Sequence, residues 1–172
     1  MNEPKKLIDT PSQTAGPFLH IGCAPRITGI NIFKIELGLT PFQDISDNEA
    51  INIKGKIYDG NGEPIIDAMI ETWQCDANGK YSSNQGFARI VTDFKTGEYQ
   101  LKTIRPGNKI NTDGSLSASY ITFWIVARGM NRPLITRMYF LENDLKNDLM
   151  LNNITIEDRL NTLIPYTEDN KN

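Results

Sequence analysis

One histidine, His20, and two cysteines, Cys23 and Cys75, are all that 172 residues offer a borderline metal ion or a nucleophilic centre. Zinc-like sites gather several such side chains at short spacing. Here the two thiols are far apart and neither lies in a CxxC motif, so they read as buried or spare thiols in a reducing cytoplasm. Basic clusters are also lacking. The net charge is −3, which excludes the usual electrostatic footprint of nucleic-acid binding. No apolar run approaches the roughly 20 residues of a membrane helix. Residues 1–9 lack the apolar stretch of an export leader. Phosphate-binding glycine loops, GxSxG and HExxH are missing as well. By residue chemistry alone, the chain has no self-contained catalytic centre.

What is present is a repeating β signal. Hydrophobic residues make up 39% and charged residues 23%, enough apolar content for a core in a chain long enough to bury one. Ile51, Ile53 and Ile57 alternate with Asn52, Lys54 and Lys56, which places the isoleucines on one strand face. Gly55 interrupts that face, the mark of a bulge or a close backbone approach. Residues 59–62, Asp-Gly-Asn-Gly, turn the chain, and Pro64 opens a second strand through 74. Ile66, Ala68, Ile70 and Thr72 share one face of it; Asp67, Met69, Glu71 and Trp73 share the other. Two strands around such a turn predict an antiparallel hairpin.

Further strands follow at 87–92, 98–103, 120–127 and 134–140, separated by turns at 93–97, 105–107, 111–114 and 128–133. Tyr99, Leu101 and Thr103 form one face of their strand, and Ile121, Phe123 and Ile125 one face of theirs. Short strands without alternating helices predict a mainly β fold, an antiparallel β-sandwich. Residues 31–36 are a possible short strand. Residues 1–30 carry prolines and a glycine within 10–18 and read as an extended N-terminal arm. One short C-terminal helix is expected after Thr155, with a capping box to Asp158 and Ile156, Leu160, Leu163 and Ile164 at helical spacing. The division is therefore an arm, 1–30, and a single sandwich domain, 31–172.

Candidate site residues are few. His20 on the arm reads as a surface or interface histidine. Tyrosine oxygen can ligate ferric iron, and Tyr58 and Tyr81 are the pair that strand pairing would group, although structural roles suit them better. A solvated sheet face accounts for Asp67 and Glu71. Arg128 ends an apolar strand beside Gly129, a place from which a guanidinium can grip a carboxylate with two bonds.

Five motifs occur in order: residues 10–18 followed by His20-Ile-Gly; residues 55–81, containing Tyr58-Asp-Gly-Asn-Gly and Trp73-Gln-Cys-Asp-Ala-Asn-Gly; residues 103–107; Ala-Arg-Gly at 127–129; and Thr-Arg-Met-Tyr-Phe at 136–140. Together they resemble the intradiol ring-cleavage dioxygenases, over about residues 10–164. The resemblance implies a prealbumin-like sandwich core and cleavage of a catechol ring with O₂. It also implies that an iron-bearing chain uses two tyrosines and a His-x-His pair. Here Tyr120 and Thr122 stand in place of that pair. Asn108-Lys109-Ile110 offers no tyrosine, and the stretch after Tyr81 is too short for the other tyrosine loop. The implied arrangement is a hetero-oligomer in which a partner chain holds Fe³⁺ and this chain lines the pocket for a small aromatic substrate. The pocket positions carried over are Thr14, Gly16, Pro17 and Phe18 on the arm, and Arg128; Phe18 replaces a tyrosine. The family continues into further strands after the position of Ile164, so the chain reads as shortened there. A self-sufficient catechol or hydroxyquinol dioxygenase and a non-catalytic β-sandwich binding module are the other two readings.

Overall fold

The computed structural model describes residues 8, 10, 11, 13–34, 38–140 and 148–167. Among these residues eight strands carry the fold: β1 (Ala50–Lys56), β2 (Met69–Trp73), β3 (Phe87–Val91), β4 (Glu98–Ile104), β5 (Lys109–Ile110), β6 (Leu116–Ser117), β7 (Tyr120–Val126) and β8 (Leu134–Tyr139). The main sheet runs β3-β2-β7-β8, all antiparallel; β1 pairs with β4 in a second sheet, and β5 with β6 in a small ribbon. Ile70, Ile121, Phe123 and Ile125 from the main sheet meet Ile53 and Tyr99 from the second, and Ile57 just after β1. That is the predicted sandwich, with the predicted inward faces of β4 and β7.

The predicted hairpin does not form. Asp59 does organise the turn: its carboxylate accepts from the N–H groups of Asn61 (2.8 Å) and Glu63 (2.9 Å). The ladder then stops at a single bridge between Tyr58 and Pro64. Beyond it the chain crosses to the other sheet, where β2 pairs with β3 and β7 while β1 pairs with β4. Burial decides this. Ala68, Ile70 and Thr72 become fully enclosed only when β2 is central in the larger sheet. Ile66, expected on the same face, is exposed because it precedes that sheet.

A buried polar contact ties the sheets together. Gln74, following β2, donates from Nε2 to the Ile104 carbonyl (2.9 Å) and accepts from the Thr103 hydroxyl (2.8 Å). Gly55 explains itself by close approach: an added Cβ would lie 2.6 Å from the Tyr99 hydroxyl. The β1–β4 register is unbroken there, so the residue is not a bulge. Gly55→Ala is expected to cost about 1–3 kcal/mol, measured by urea denaturation. Tyr99→Leu in the same chain should recover part of that loss.

The arm is not wholly extended. Helix α1 (Pro17–Cys23) follows its N-cap Gly16, and a 3-10 turn comes next over Pro25–Thr28. Proline is acceptable at the first helical position, where its missing N–H would have had no partner. His20 is correspondingly buried, its ring edge-on to Phe94 at 5.7 Å, not at the surface. Residues 31–34 form no strand; residues 35–37 lie outside the described part.

Among the described residues two short helices rather than one follow β8: α2 (Leu149–Asn152), capped by Asp148, and α3 (Glu157–Asn161). Ile156, not Thr155, is the N-cap of α3 and no side chain caps it, so the expected capping box is absent. Among the described residues no helix is long and apolar enough to cross a membrane.

Candidate functional site

The register of the main sheet builds the first part of the site. Met69 lies opposite Val126. Two residues further out, the same register sets Asp67 opposite Arg128, as a cross-strand pair. Arg128 Nε donates to Asp67 Oδ2 at 2.8 Å, and Nη2 donates to the same oxygen. The carboxylate side chain is 16% exposed and the arginine side chain 74%. The guanidinium is thus held at its base and presented outward. A solvated sheet face does not account for Asp67, because the β2–β7 register gives its carboxylate a partner. Glu71 likewise meets Arg89, at 2.5 Å.

The arm comes to the same place. Ala15 forms a parallel bridge with Arg128, and the Thr14 hydroxyl donates to the Met130 carbonyl at 3.3 Å. Gly129, with φ +85°, turns the chain so that Met130 N–H bonds back to the Ala127 carbonyl at 3.1 Å. Gly16 is the N-cap residue of α1, Pro17 starts the helix, and Phe18 projects with 82% exposure. The structure therefore gathers the arm and Arg128 into one neighbourhood, anchored by the Ala15 bridge and the Thr14 hydroxyl.

A second cluster covers the outer face of the main sheet. The Tyr81 hydroxyl lies 3.3 Å from that of Tyr120. The Arg137 guanidinium sits 4.2 Å from the Tyr120 ring centre and donates to the Tyr139 hydroxyl at 3.2 Å. Trp73 stacks on Tyr81, and Lys109 approaches the same ring at 5.4 Å. Tyr58, the partner expected for Tyr81, instead bridges Pro64 on an exposed turn; the strand crossover separates them.

This is also the face on which Tyr120 and Thr122 stand, so its fit to ferric iron can be tested. Ferric iron takes phenolate oxygen. Burial first, then the hydrogen bond with Tyr120, hold the Tyr81 phenol well above its usual range. Burial raises Tyr139 too, against the opposing pull of Arg137. A permanent cation stands among the hydroxyls, Thr122 offers a neutral alcohol, and the sole imidazole is on α1. The donor set does not fit Fe³⁺. Among the described residues no group of three or more His, Cys, Asp or Glu gathers either. Adding Fe³⁺ to the isolated chain is expected to give no visible phenolate-to-iron charge-transfer band; a band saturating at one equivalent would refute the misfit.

The raised phenols also set a pH dependence. In the unfolded chain tyrosines ionise near pH ~10, whereas folded Tyr81, Tyr99 and Tyr139 keep their protons longer. Above that pH the native state binds more protons than the unfolded state, so stability falls as pH rises. Thermal melts from pH 8 to 11 should show the decline setting in near pH ~10.

The chain is similar to known proteins in sequence and in fold. The model of a family described as "Dioxygenase" matches residues 36–170. A protocatechuate 3,4-dioxygenase alpha chain from Pseudomonas putida is 38% identical over 167 residues, 92% of this chain and 83% of that one. Another alpha chain of that name, from Burkholderia cepacia, is 30% identical, covering 89% and 81%. Among solved structures, catechol 1,2-dioxygenase from Pseudomonas arvilla C-1 superposes with a TM-score of 0.57 at 21% identity, covering 64% of this chain. That match speaks to fold alone, and this chain spans 42% of that protein's length. With a family model over most of its length and two relatives aligned almost end to end, the chain belongs to the intradiol dioxygenase family.

Proposed function

We propose that this chain is the non-metallated alpha subunit of a protocatechuate 3,4-dioxygenase, working with a beta subunit that holds the ferric ion. The assembled enzyme would cleave the ring of 3,4-dihydroxybenzoate between its hydroxylated carbons with O₂, giving 3-carboxy-cis,cis-muconate. The observation that carries the reading is the docking of the arm against Arg128, through the Ala15 bridge and the Thr14 bond to Met130. Thr14, Gly16, Pro17 and Phe18 then form one wall of the substrate pocket, and Arg128 supplies the cation for the substrate carboxylate. The arm, 1–30, packs on the partner subunit; residues 31–172 form the sandwich that carries Arg128.

In this arrangement the chain's own contribution is binding and orientation. Asp67 holds Nε and Nη2 of Arg128 from behind. The guanidinium stays extended and its rotamer entropy is partly lost before substrate arrives. Iron chemistry belongs to the partner, and no step of it passes through residues of this chain. Asp67 is a positioning residue. Asp67→Asn in the assembled enzyme is expected to raise KM for protocatechuate about 3- to 10-fold, roughly 1 kcal/mol, with kcat little changed. Asp67→Glu should restore part of the affinity.

Co-expression with a beta subunit tests the reading. The two chains should co-purify and consume O₂ with protocatechuate, and this chain alone should not. Failure of the chains to associate, or turnover by this chain alone, would overturn it.

A further inference from the structure

The register of the main sheet lines up Phe87, Trp73, Thr122 and Arg137 in one row across β3, β2, β7 and β8. Directly opposed residues share a face, so Thr122 is a small side chain between two large ones. Along β7 its neighbours on the same face are Tyr120 and Trp124. Thr122 is therefore the floor of a well in the outer face of the sheet. The cavity there has a volume of about 280 Å³, and its lining includes Trp73, Phe87, Thr122, Trp124 and Glu71. An apolar cavity of about 150 Å³ already holds benzene, so this one has room for a single substituted ring.

The aromatic wall is set before any ligand arrives. Trp73 stands between Tyr81, stacked on it at 6.1 Å, and Phe87 at 6.3 Å. The cation beside the well is held differently from its counterparts. Arg89 and Arg128 each meet a carboxylate, Glu71 and Asp67. Half-buried Arg137 instead lies over the Tyr120 ring and donates to the neutral Tyr139 hydroxyl. The carboxylates nearby are engaged elsewhere. Glu71 accepts from Arg89 Nε at 2.8 Å. Asp148, which acts on Arg137 electrostatically, accepts from the N–H groups of Ala118, Met150 and Leu151. The paired hydroxyls of Tyr81 and Tyr120 use one of their two protons between themselves, which leaves the other for an outside acceptor. A guanidinium taken partly out of water among neutral partners favours an anion beside it.

We propose that this well binds a small aromatic carboxylate, its ring over Thr122 against Trp73 and Trp124 and its carboxylate on Arg137. Neighbouring strands lie about 4.8 Å apart, so a ring above Thr122 brings an attached carboxylate within reach of the next strand, β8. There the guanidinium can take it with two parallel bonds. A neutral ring would leave Arg137 among neutral partners. An aliphatic acid would leave the indole faces without a stacking partner. Arg128 lies six residues beyond Thr122, roughly 20 Å away at strand spacing, so the two arginines serve separate sites. The inference stands independently of the alpha-subunit reading, since it uses only the main-sheet register and the side chains on its outer face.

The chain has two tryptophans and both line the cavity, so intrinsic fluorescence reports on this site. The test titrates the full chain with para-nitrobenzoate, whose ring quenches indole emission on contact. Saturable quenching is expected, with para-nitrobenzyl alcohol, the same ring without the charge, at least tenfold weaker. Arg137→Met should weaken the acid at least tenfold and leave the alcohol unchanged, a contrast that a merely structural role would not produce. Thr122→Phe fills the well from an outward-facing position and should abolish saturable quenching by the acid, with the fold checked by circular dichroism. It tests the ring subsite independently of whether Arg137→Met folds. Arg128→Ala should leave the affinity for the acid unchanged. Quenching that never saturates, equal affinity for acid and alcohol, or full affinity for the acid in folded Arg137→Met or Thr122→Phe would overturn the proposal. Full affinity in Arg137→Met together with a loss in Arg128→Ala would move the acid to the other arginine.

Discussion

Arg128→Ala in the assembled enzyme is expected to raise KM for protocatechuate on the order of 10- to 100-fold while leaving turnover of plain catechol nearly unchanged. A charge-assisted hydrogen bond contributes roughly 1.5–3 kcal/mol, and each 1.4 kcal/mol is tenfold. The contrast between the two substrates matters more than the size of either effect. Catechol has no carboxylate, so it neither gains from the guanidinium nor loses by its removal. A fall in both substrates alike would instead point to damage at the subunit interface, where the arm bridges Arg128 through main-chain atoms. Alanine keeps that main-chain bridge available. Arg128→Lys should recover only part of the loss, because an ammonium group cannot take both the Asp67 oxygen and a carboxylate with a planar fork. Unchanged KM in Arg128→Ala would remove the residue from the pocket.

Gln74→Leu is expected to destabilise the chain by about 2–4 kcal/mol, lowering Tm by roughly 5–15 °C. Gln74 and Thr103 are both essentially inaccessible to solvent. The amide joins the main sheet to β4 by two bonds, to the Thr103 hydroxyl and the Ile104 carbonyl. Leucine approximates its volume but leaves both groups buried and unpaired. Thr103→Val combined with Gln74→Leu should recover about 1 kcal/mol, since the hydroxyl is then gone as well; the Ile104 carbonyl remains unsatisfied in either case. Simple additivity of the two single losses would show that the groups do not act as one contact. Calorimetry on the wild type, both single variants and the double variant completes the cycle.

Much of the fold is legible in local pattern. The alternation of β4 and β7 identifies their inward faces because the side-chain period of a strand is two. Asp59 and Asp93 mark turns through the same carboxylate-to-backbone bonds wherever they occur. Pairing order is less legible. The turn at 59–62 looks like a hairpin turn and does reverse the chain, but the apolar content of 68–72 takes that segment into the other sheet. A local signal cannot weigh the burial offered by strands 50 residues away.

The same limit governs the site. Arg128 stands out in the sequence because it ends a long apolar strand. Asp67 does not, since its meaning depends on a register extended beyond β2 and β7. Pro17 reads as a breaker until it is recognised as the first residue of a helix, which then buries His20. Tyr81 joins Tyr120 only once β7 is seated at the centre of the main sheet. Composition bears on the metal as well: one imidazole cannot make the His-x-His pair that the resemblance implies, and the folded chain places Arg137 among its tyrosines.

The central claim is a division of labour, with this chain shaping the pocket and a partner holding the metal. Native mass spectrometry of the complex with a beta subunit, followed by gas-phase dissociation into single chains, tests it most directly. The expected result is one iron per alpha–beta pair, retained wholly on the beta chain, with this chain released at its apo mass. Iron retained on this chain would contradict the account.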